Sequence, residues 1–447
     1  RSITRSIFGT LFERGHDPAK RSQLGAHYTD PATILRLVEP VVQRPLLAEW
    51  NGLKPAIEKA LGKSKKYGDK AYRDAQAVFA GFLVRLGAYR VLDQACGSGN
   101  FLYLALKCLK DIEHQVNFEA EALGLERQHD LTGPHNMLGI ELNEYAAELA
   151  RVTVWIGELQ WRIQQGYGFK LNPVLEPLDH IRCGNALTNA DGSEAEWPKA
   201  DAVVGNPPFV GDKKMRSELG AAYTQLLRRT FKGRVPGGAD FVCYWFEKAR
   251  AQIAARALRR AGLVATNSIR GGKNREVLDA VCRTTRIFAA WSDEPWVNNG
   301  AAVRVSLVAF GTGSVVTTLD GSPVPGIGPE LSPMEVGGMA LSSASPLTEN
   351  LGTAFQGPTK GGKFDVAGVD ARDWLKAPAL GACNADVLHP WANGQALTGR
   401  WPDQWIIDLG DMSESQAMRH ELPFAWVVEH VKPERAHNAE PRTRQYY

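Results

Sequence analysis

The chain has 447 residues, of which 44% are hydrophobic and 23% are charged, and its net charge is +3. These values are typical of a globular protein with two or three domains and exclude a disordered chain. No apolar run approaches the roughly 18 residues of a transmembrane helix, and so small a net charge does not by itself indicate nucleic-acid binding.

The cysteines and the N-terminal residues predict the compartment. The six cysteines form neither close pairs nor zinc-like spacings with histidine. This pattern predicts reduced thiols and no metal site. Residues 1–5 begin no continuous apolar core of the kind found in signal peptides. We therefore expect a cytoplasmic protein with no membrane partner.

Residues 1–88 are predicted to form a helical N-terminal segment. An amphipathic helix is expected over 32–42, with Thr29 or Asp30 as its cap and Pro31 in its first turn. Residues 49–75 are rich in lysine and predict a solvated helical insertion, with contact to a phosphate backbone as the alternative.

Residues 89–312 alternate between apolar strands and amphipathic helices. Strands are predicted at 90–93, 137–141, 180–183, 202–204, 262–266, 287–291 and 303–310. Helices are predicted at 101–112, 144–162, 241–258 and 274–283, with a polar connection over 115–135. The alternation predicts an α/β fold with a mostly parallel seven-stranded, doubly wound sheet whose last two strands form a hairpin.

The composition changes after residue 312. Residues 313–349 are rich in glycine, serine and proline, which indicates a linker with loops. Residues 350–447 contain short segments, many turn residues and several tryptophans, and we expect a separate β-containing module there.

A glycine-rich turn follows the first predicted strand, over residues 93–101. Its spacing is not that of a dinucleotide fingerprint, and it has no P-loop lysine. A glycine turn that enters a helix still suits an anion, such as the carboxylate of an amino-acid-like ligand. Glu141 ends the next strand, where it could accept from ribose hydroxyls or be solvated. Asn185 could contact an adenine edge or simply stabilise a turn.

A rigid polar loop, Asn206-Pro-Pro-Phe209, follows the strand at 202–204. Such a loop suits methylation of an aromatic amine, whose lone pair is delocalised and poorly nucleophilic. The side-chain oxygen of Asn206 and the carbonyl of Pro207 could accept from the two N–H groups and stabilise the developing charge. Phe209 offers a flat face for a base. The alternative is an ordinary strand-ending turn.

Taken together, Asp93-Gln-Ala-Cys-Gly-Ser-Gly-Asn-Phe101, Gly139-Ile-Glu141-Leu-Asn143 and Asn206-Pro-Pro-Phe209 resemble class I S-adenosylmethionine-dependent DNA amino-methyltransferases. The preceding His27-Tyr-Thr29 turn matches the γ arrangement, in which target recognition comes last. Stretches such as Trp291-Ser-Asp-Glu-Pro-Trp296 resemble MmeI-like restriction–modification enzymes and related phage-defence methyltransferases.

The resemblance implies a Rossmann-like methyltransferase over 89–312, a target-recognition domain over 350–447, and methylation of adenine N6 in double-stranded DNA. It implies S-adenosyl-L-methionine as cofactor and other restriction or defence subunits as candidate partners. The implied catalytic residues are Asn206, Pro207, Pro208 and Phe209. The implied cofactor-binding residues are His27, Tyr28, Thr29, Asp93, Ala95, Cys96, Gly97, Gly99, Asn100, Phe101, Glu141, Leu142, Asn185, Ala186 and Asn206.

The sequence departs from the family pattern in two places. The family usually has aspartate where Asn185 stands. MmeI-like enzymes also carry an N-terminal nuclease, and the sequence has no recognisable acidic–lysine nuclease cluster. We therefore expect either a fragment or a methyltransferase whose nuclease is absent or separate, and the end at residues 444–447 suggests an interrupted domain.

Clustered basic residues are the candidates for DNA contact, because a target base must be flipped out of the duplex while the phosphates are held. These are Lys213, Lys214, Arg216, Arg270, Lys273, Arg275, Lys360 and Lys363. Two other classes of function stay open. One is an amino-methyltransferase acting on cytosine, RNA or a protein glutamine, and the other is a DNA-recognition subunit without turnover.

Overall fold

The computed structural model describes residues 30–128, 131–167, 178–298, 301–313, 316–334, 347–350, 353, 361–378 and 381–436. Residues 1–29 of the expected helical segment, which include the candidate site residues His27, Tyr28 and Thr29, lie outside these ranges, as does Lys360. The chain divides into two compact units, residues 1–344 and 345–447. Within the described ranges, no helix has both the length and the apolar content to cross a bilayer.

The described chain opens with three helices that pack into the core of the first unit. They are α1 (Pro31–Val38), α2 (Arg44–Leu61) and α3 (Lys70–Gly87), and a π-helical segment joins α1 to α2. Asp30 caps α1 by accepting from the backbone N–H of Thr33 at 3.1 Å, as the sequence predicts. The insertion expected over 49–75 is helical except for the turn over 62–69, but its helices are not solvated on all sides, because Trp50 and Ile57 are fully buried.

One large sheet organises the first unit. Its seven main strands are β1 (Val91–Asp93), β2 (Met137–Glu141), β3 (Ile181–Cys183), β4 (Ala202–Gly205), β5 (Arg260–Thr266), β6 (Arg286–Asn298) and β7 (Ala301–Gly311). Two strands of two residues, β8 (Thr318–Leu319) and β9 (Ser322–Pro323), extend the sheet to nine, in the order β3-β2-β1-β4-β5-β7-β6-β8-β9. The pairs among β1 to β5 are parallel, and β6 and β7 form the predicted antiparallel hairpin.

Six α-helices follow β1 in the described part of the first unit. They are α4 (Asn100–Ala122), α5 (Glu144–Gln164), α6 (Asp212–Glu218), α7 (Ala221–Thr230), α8 (Cys243–Ala254) and α9 (Gly272–Thr284). The polar connection expected from 115 is wrong as far as residue 122, because α4 continues through Val116 and Ala120, which are fully buried. The basic segment after residue 211 is also helical.

Alternate residues along the strands belong to two different hydrophobic clusters. Val91 and Val204 join one cluster, whereas Leu92 and Val203 join the other. Because successive side chains of a strand point to opposite faces, the two clusters cover the two faces of the sheet. Layers of helices on both faces are the arrangement expected for a doubly wound α/β fold.

A buried ion pair joins α4 to α5. Lys110 Nζ lies 2.9 Å from Glu158 Oε1, and these side chains are only 2% and 9% exposed. Replacing Lys110 by methionine should lower the free energy of unfolding by about 3 kcal/mol, because the buried Glu158 charge then keeps only its longer contact with Arg162, at 3.4 Å. Urea denaturation measures this loss. Lys107→Met, which breaks the half-exposed pair with Asp111 one turn earlier, should cost no more than about 1 kcal/mol; equal losses would contradict the prediction.

The second unit contains the β structure that the sequence predicts there. Its sheet has the antiparallel order β10-β12-β11, formed by β10 (Asp365–Ala367), β11 (Leu388–Trp391) and β12 (Gln404–Ile407). Its helices are α10 (Gly368–Lys376), α11 (Gly394–Thr398), α12 (Glu414–Ala417), α13 (Glu421–Trp426) and α14 (Lys432–Ala436). Phe364, Val366 and Val431 belong to a small hydrophobic core of this unit.

Candidate functional site

The site forms where the strand order of the main sheet reverses. From β1 the chain proceeds to β2 and β3 on one side and then returns to β4 on the other side of β1. Because β1 and β4 are parallel neighbours, the turns that leave their carboxyl ends face each other across the sheet edge. Ligands of open α/β sheets bind at this kind of switch point.

The turn after β1 is shaped by its glycines and by the neighbouring strand. Gly97 and Gly99 have positive φ angles of 50° and 87°, which residues other than glycine rarely adopt. The N–H of Cys96 donates to Ile140 O at 3.1 Å, so the turn is fastened to β2. Burial raises the pKa of the Cys96 thiol, which therefore stays protonated. Helix α4 then begins at Asn100, so its free N–H groups point toward this edge.

Asp93 ends β1 with a buried carboxyl group. Its side chain is 1% exposed, and its Oδ1 accepts from the N–H of Ala95 at 3.1 Å. Burial raises the pKa of Asp93 to about 8, and the charge of Glu141 contributes to the rise, although the Ala95 hydrogen bond opposes it. A cation bound here would be stabilised by this carboxylate.

Glu141 connects the end of β2 to the glycine turn. Its Oε2 accepts from the N–H of Gly97 at 2.8 Å, and its Oε1 accepts from the N–H of Asn143 at 2.9 Å. Burial raises the pKa of Glu141. The next residue, Leu142, is 64% exposed, so a large apolar side chain lies in solvent beside the carboxylate. Glu141 and Leu142 thus place oxygen acceptors and an apolar side chain together at the carboxyl end of β2.

The Asn206–Phe209 loop leaves β4 opposite these groups. Asn206 is half-buried, Pro207 is buried, and Phe209 is half-buried and packs against both hydrophobic clusters. Gly205, just before the loop, has no room for a side chain, because a Cβ atom there would lie 2.6 Å from Asp93 Oδ1. The carboxyl of Asp93 therefore lies against the backbone immediately before the loop.

Asp240 anchors the far end of this loop, and sequence reasoning missed it. Its Oδ1 accepts from the N–H of Asp212 at 2.9 Å, and its Oδ2 accepts from Asn274 Nδ2 at 2.6 Å and Ser268 Oγ at 2.8 Å. The N–H of Phe241 also donates to Val210 O at 2.9 Å. These bonds tie the loop to the segment after β5. No motif in the sequence identified Asp240, because a lone aspartate before an apolar helix is common.

Asn185, after β3, is engaged in local hydrogen bonds. Its Oδ1 accepts from the N–H groups of Leu187 at 2.8 Å and Thr188 at 3.2 Å, which forms a turn, and its Nδ2 donates to Tyr223 Oη at 3.0 Å. Ala186, the next residue in this turn, is buried. Asn185 therefore stabilises the turn after β3, as one of its two predicted roles requires. Its contact with an adenine edge stays a prediction.

The candidate DNA-contacting residues of the first unit differ in their surroundings. Lys213, Lys214 and Arg216 are exposed on α6, directly after the loop. Lys273 is exposed, but its Nζ forms an ion pair with Glu276 Oε1 at 2.7 Å. The remaining candidates are more enclosed: Arg270 and Arg275 are half-buried, and Arg275 lies 3.4 Å from Glu330. In the second unit, Lys363 is exposed. The α6 cluster is thus the most accessible basic group near the loop.

Among the described residues, the structure gathers two predicted sets at one edge of the sheet. The turn over 93–101, Glu141 and Leu142 lie at the carboxyl ends of β1 and β2, and the loop over 206–209 lies at the end of β4. Asn185 and Ala186 follow the outermost strand, β3, at the same edge.

Comparison with known proteins gives consistent results. A family model described as MmeI, DNA-methyltransferase domain, matches residues 69–319. DNA methyltransferase A of Bacillus subtilis (strain 168) is 27% identical over 335 residues, which is 69% of this chain and 34% of that protein. A putative type II restriction enzyme and methyltransferase of Methanocaldococcus jannaschii is 27% identical over 198 residues, which is 41% of this chain and 16% of that protein.

A solved structure is also similar. The DNA complex of the type IIL restriction-modification enzyme MmeI aligns with 99% of this chain and 59% of its own chain, with a TM-score of 0.63 and 23% identity. At this identity the likeness shows the fold. The chain spans about a third of the length of the Bacillus relative and a smaller share of the Methanocaldococcus relative.

Proposed function

The chain belongs to the MmeI DNA-methyltransferase domain family, and from this premise we propose that it transfers a methyl group from S-adenosyl-L-methionine to the N6 amine of an adenine in double-stranded DNA. The observation that carries the proposal is the Asn206–Phe209 loop at the switch point, opposite a glycine turn and a buried carboxyl group. The matching region, residues 69–319, contains all of these groups.

The loop supplies what an aromatic amine lacks as a nucleophile. An oxygen of Asn206 and the carbonyl of Pro207 accept from the two amine N–H groups, which localises the nitrogen lone pair and stabilises the charge that develops on attack. Proline at 207 and 208 keeps the backbone stiff, so the two acceptors hold their positions. Phe209, held between two hydrophobic clusters, supports the face of the extruded base.

The residues opposite the loop fit S-adenosyl-L-methionine. The cofactor supplies a methyl group on a sulfonium, which is electrophilic. The buried carboxyl of Asp93 suits the α-ammonium of its amino-acid end, because a cation there would offset the burial that raises the pKa of this group. Glu141 offers oxygen acceptors for ribose hydroxyls, and the exposed side chain of Leu142 offers an apolar surface for the adenine ring.

The biological setting follows from the family. We place the chain in a restriction–modification or phage-defence system, with double-stranded DNA as its partner and the cytoplasm as its location. The three-stranded unit from residue 345 would read the recognition sequence, and other subunits of such a system are candidate partners.

A transfer assay tests the substrate and the cofactor together. The 447-residue chain is incubated with methyl-labelled S-adenosyl-L-methionine and with plasmid DNA, RNA or glutamine-containing protein. We expect label in DNA alone, recovered as N6-methyldeoxyadenosine after digestion to nucleosides. Label recovered as a methylated cytosine, or in RNA or protein, would refute the adenine assignment. Cofactor binding without label in any acceptor would point to a silent recognition subunit.

The α6 cluster gives a prediction about DNA affinity. Replacing Lys213 and Lys214 by alanine should weaken binding and reduce the slope of log K against log salt by about 2, because each phosphate contact contributes about 0.9. Fluorescence anisotropy across a salt series measures the slope. The matched control is Lys63→Ala with Lys65→Ala, two exposed lysines in the turn between α2 and α3, which should leave the slope unchanged. Equal slopes for the wild type and the α6 variant would refute the contact.

A further inference from the structure

Gln94 is a buried side chain whose polar atoms have no hydrogen-bond partner among the described residues. It is 1% exposed, and neither Oε1 nor Nε2 is bonded. It directly follows Asp93 and begins the glycine turn. None of the sequence motifs assigns it a role.

The Gln94 amide lies where the glycine-rich turn meets the backbone just before the Asn206–Phe209 loop. A Cβ atom at Gly205 would be 3.3 Å from Gln94 Oε1 and 2.6 Å from Asp93 Oδ1, so both side chains lie against the backbone just before Asn206. The parallel pairing of Val91 with Ala202 and of Leu92 with Val203, continued by two residues, brings Gln94 beside Gly205. The amide and the Asp93 carboxyl therefore share one corner of the site.

An unbonded buried amide destabilises the fold, because it loses its hydrogen bonds to water without replacement. Nearly all buried polar groups in proteins are hydrogen-bonded, and the exceptions are expected at functional or strained sites. An apolar side chain of the same size would make a more stable protein here. The amide is therefore better explained by binding than by folding.

We propose that Gln94 binds the zwitterionic amino-acid end of the methyl donor, with Oε1 accepting from the α-ammonium and Nε2 donating to the carboxylate. This inference rests on the proposed function. An amide offers one acceptor and one pair of donors side by side, which matches the two charges of that end. The neighbouring Asp93 carboxyl gives the ammonium a second acceptor. Gln94 is therefore proposed to contact the methyl donor and not the DNA.

Two ligands that differ only in this end test the inference. S-adenosylhomocysteine carries the amino-acid end, whereas 5′-methylthioadenosine does not. Gln94→Met keeps the length of the side chain and removes its amide. By calorimetry, we expect the variant to bind S-adenosylhomocysteine at least about tenfold more weakly, as for a lost hydrogen bond to a charged group, and to bind methylthioadenosine within about twofold of the wild type.

Stability gives a second readout that a purely structural role would not produce. The melting temperature of unliganded Gln94→Met should rise by roughly 2 °C or more, because an unbonded buried amide is removed. Unchanged affinity for S-adenosylhomocysteine, or equal losses for the two ligands, would overturn the inference. If the methionine variant does not fold, Gln94→Asn, which shortens the amide without adding bulk, should show the same selective loss.

The matched control is Tyr72→Phe. The hydroxyl of Tyr72 is also buried without a hydrogen-bond partner among the described residues, but it lies on α3, away from the strand ends. Its removal should leave both affinities unchanged, and a loss equal to that of the Gln94 variant would overturn the inference. The wild-type protein separates the methyltransferase proposal from the Gln94 inference. If the wild type binds neither ligand, the proposed function fails. If the wild type binds both ligands and Gln94→Met binds them equally well, only the Gln94 inference fails.

Discussion

Replacing Asn206 by alanine is expected to lower kcat for DNA methylation by about 100- to 1,000-fold, the loss typical of removing one preorganised group that stabilises developing charge. The alanine has no side-chain oxygen to accept from the target amine. The second acceptor, the carbonyl of Pro207, belongs to the backbone and is retained. The effect should therefore be large in kcat and small in the dissociation constant of S-adenosylhomocysteine.

Single-turnover kinetics with labelled cofactor and DNA measure this loss, and calorimetry measures cofactor binding in the same variant. Asn189→Ala makes the same substitution at an exposed position between β3 and β4 and should retain wild-type kinetics. Turnover of the Asn206 variant within tenfold of the wild type would refute the role of the side-chain oxygen. An equal effect of both substitutions would refute its location.

The Asn206–Phe209 loop is held by groups on three sides. Gly205 lies against Asp93 at its beginning, Phe209 packs against both hydrophobic clusters in its middle, and Asp240 binds the N–H of Asp212 at its end. A site held at several points keeps its acceptors within the small tolerance that catalysis requires. This support would let a short loop without regular structure act as the preorganised site that we propose.

The strands and most helices of the first unit could be predicted from the sequence because their signal is local. The apolar run Met137–Glu141 and the cap and proline at the start of α1 were located correctly from periodicity and helix-start residues. The fold class followed from the order of these elements. The turn, the loop and Glu141 could be grouped in advance, because parallel strands end at one edge.

The remaining features depend on contacts between residues distant in sequence. The lysine-rich helices α2 and α3 belong to the core through Trp50 and Phe79, which face a layer formed later in the chain. The basic segment after residue 211 forms helices α6 and α7, which were not among the helices predicted from the sequence. Asp240 has no motif around it, and Gln94 lies inside the glycine-rich turn but was given no role there. Asp240 is identified by its hydrogen bonds to residues distant in sequence, and Gln94 by the lack of hydrogen bonds to its buried amide among the described residues.

Cofactor affinity is expected to depend on pH through Asp93. Burial raises the pKa of this carboxyl from an ordinary value of 3.8 to about 8, so it is largely protonated below that pH. An α-ammonium bound beside it favours the ionised form, and binding must then release a proton. Affinity for S-adenosylhomocysteine should therefore fall as pH decreases, by up to tenfold per unit below about pH 8. Over two units, the loss approaches about 100-fold.

Asp93→Asn should remove this dependence, because an amide neither titrates nor releases a proton. Its affinity should be lower than that of the wild type at pH 8 and nearly constant below it. Calorimetry in two buffers of different ionisation enthalpy counts the released proton directly. A slope that persists in the asparagine variant would assign the titration to Glu141, whose pKa burial also raises.

The same titration has the opposite consequence for the unliganded fold. A carboxyl with a raised folded pKa contributes stability that is complete below its unfolded pKa, near 3.8, and is lost as pH rises through about 8. Relative to the wild type, Asp93→Asn should therefore gain stability as pH increases from about 4 to 8. Urea denaturation across this range measures the gain. Parallel pH profiles for the two proteins would show that Asp93 ionises normally, and the proton release on binding would then need another source.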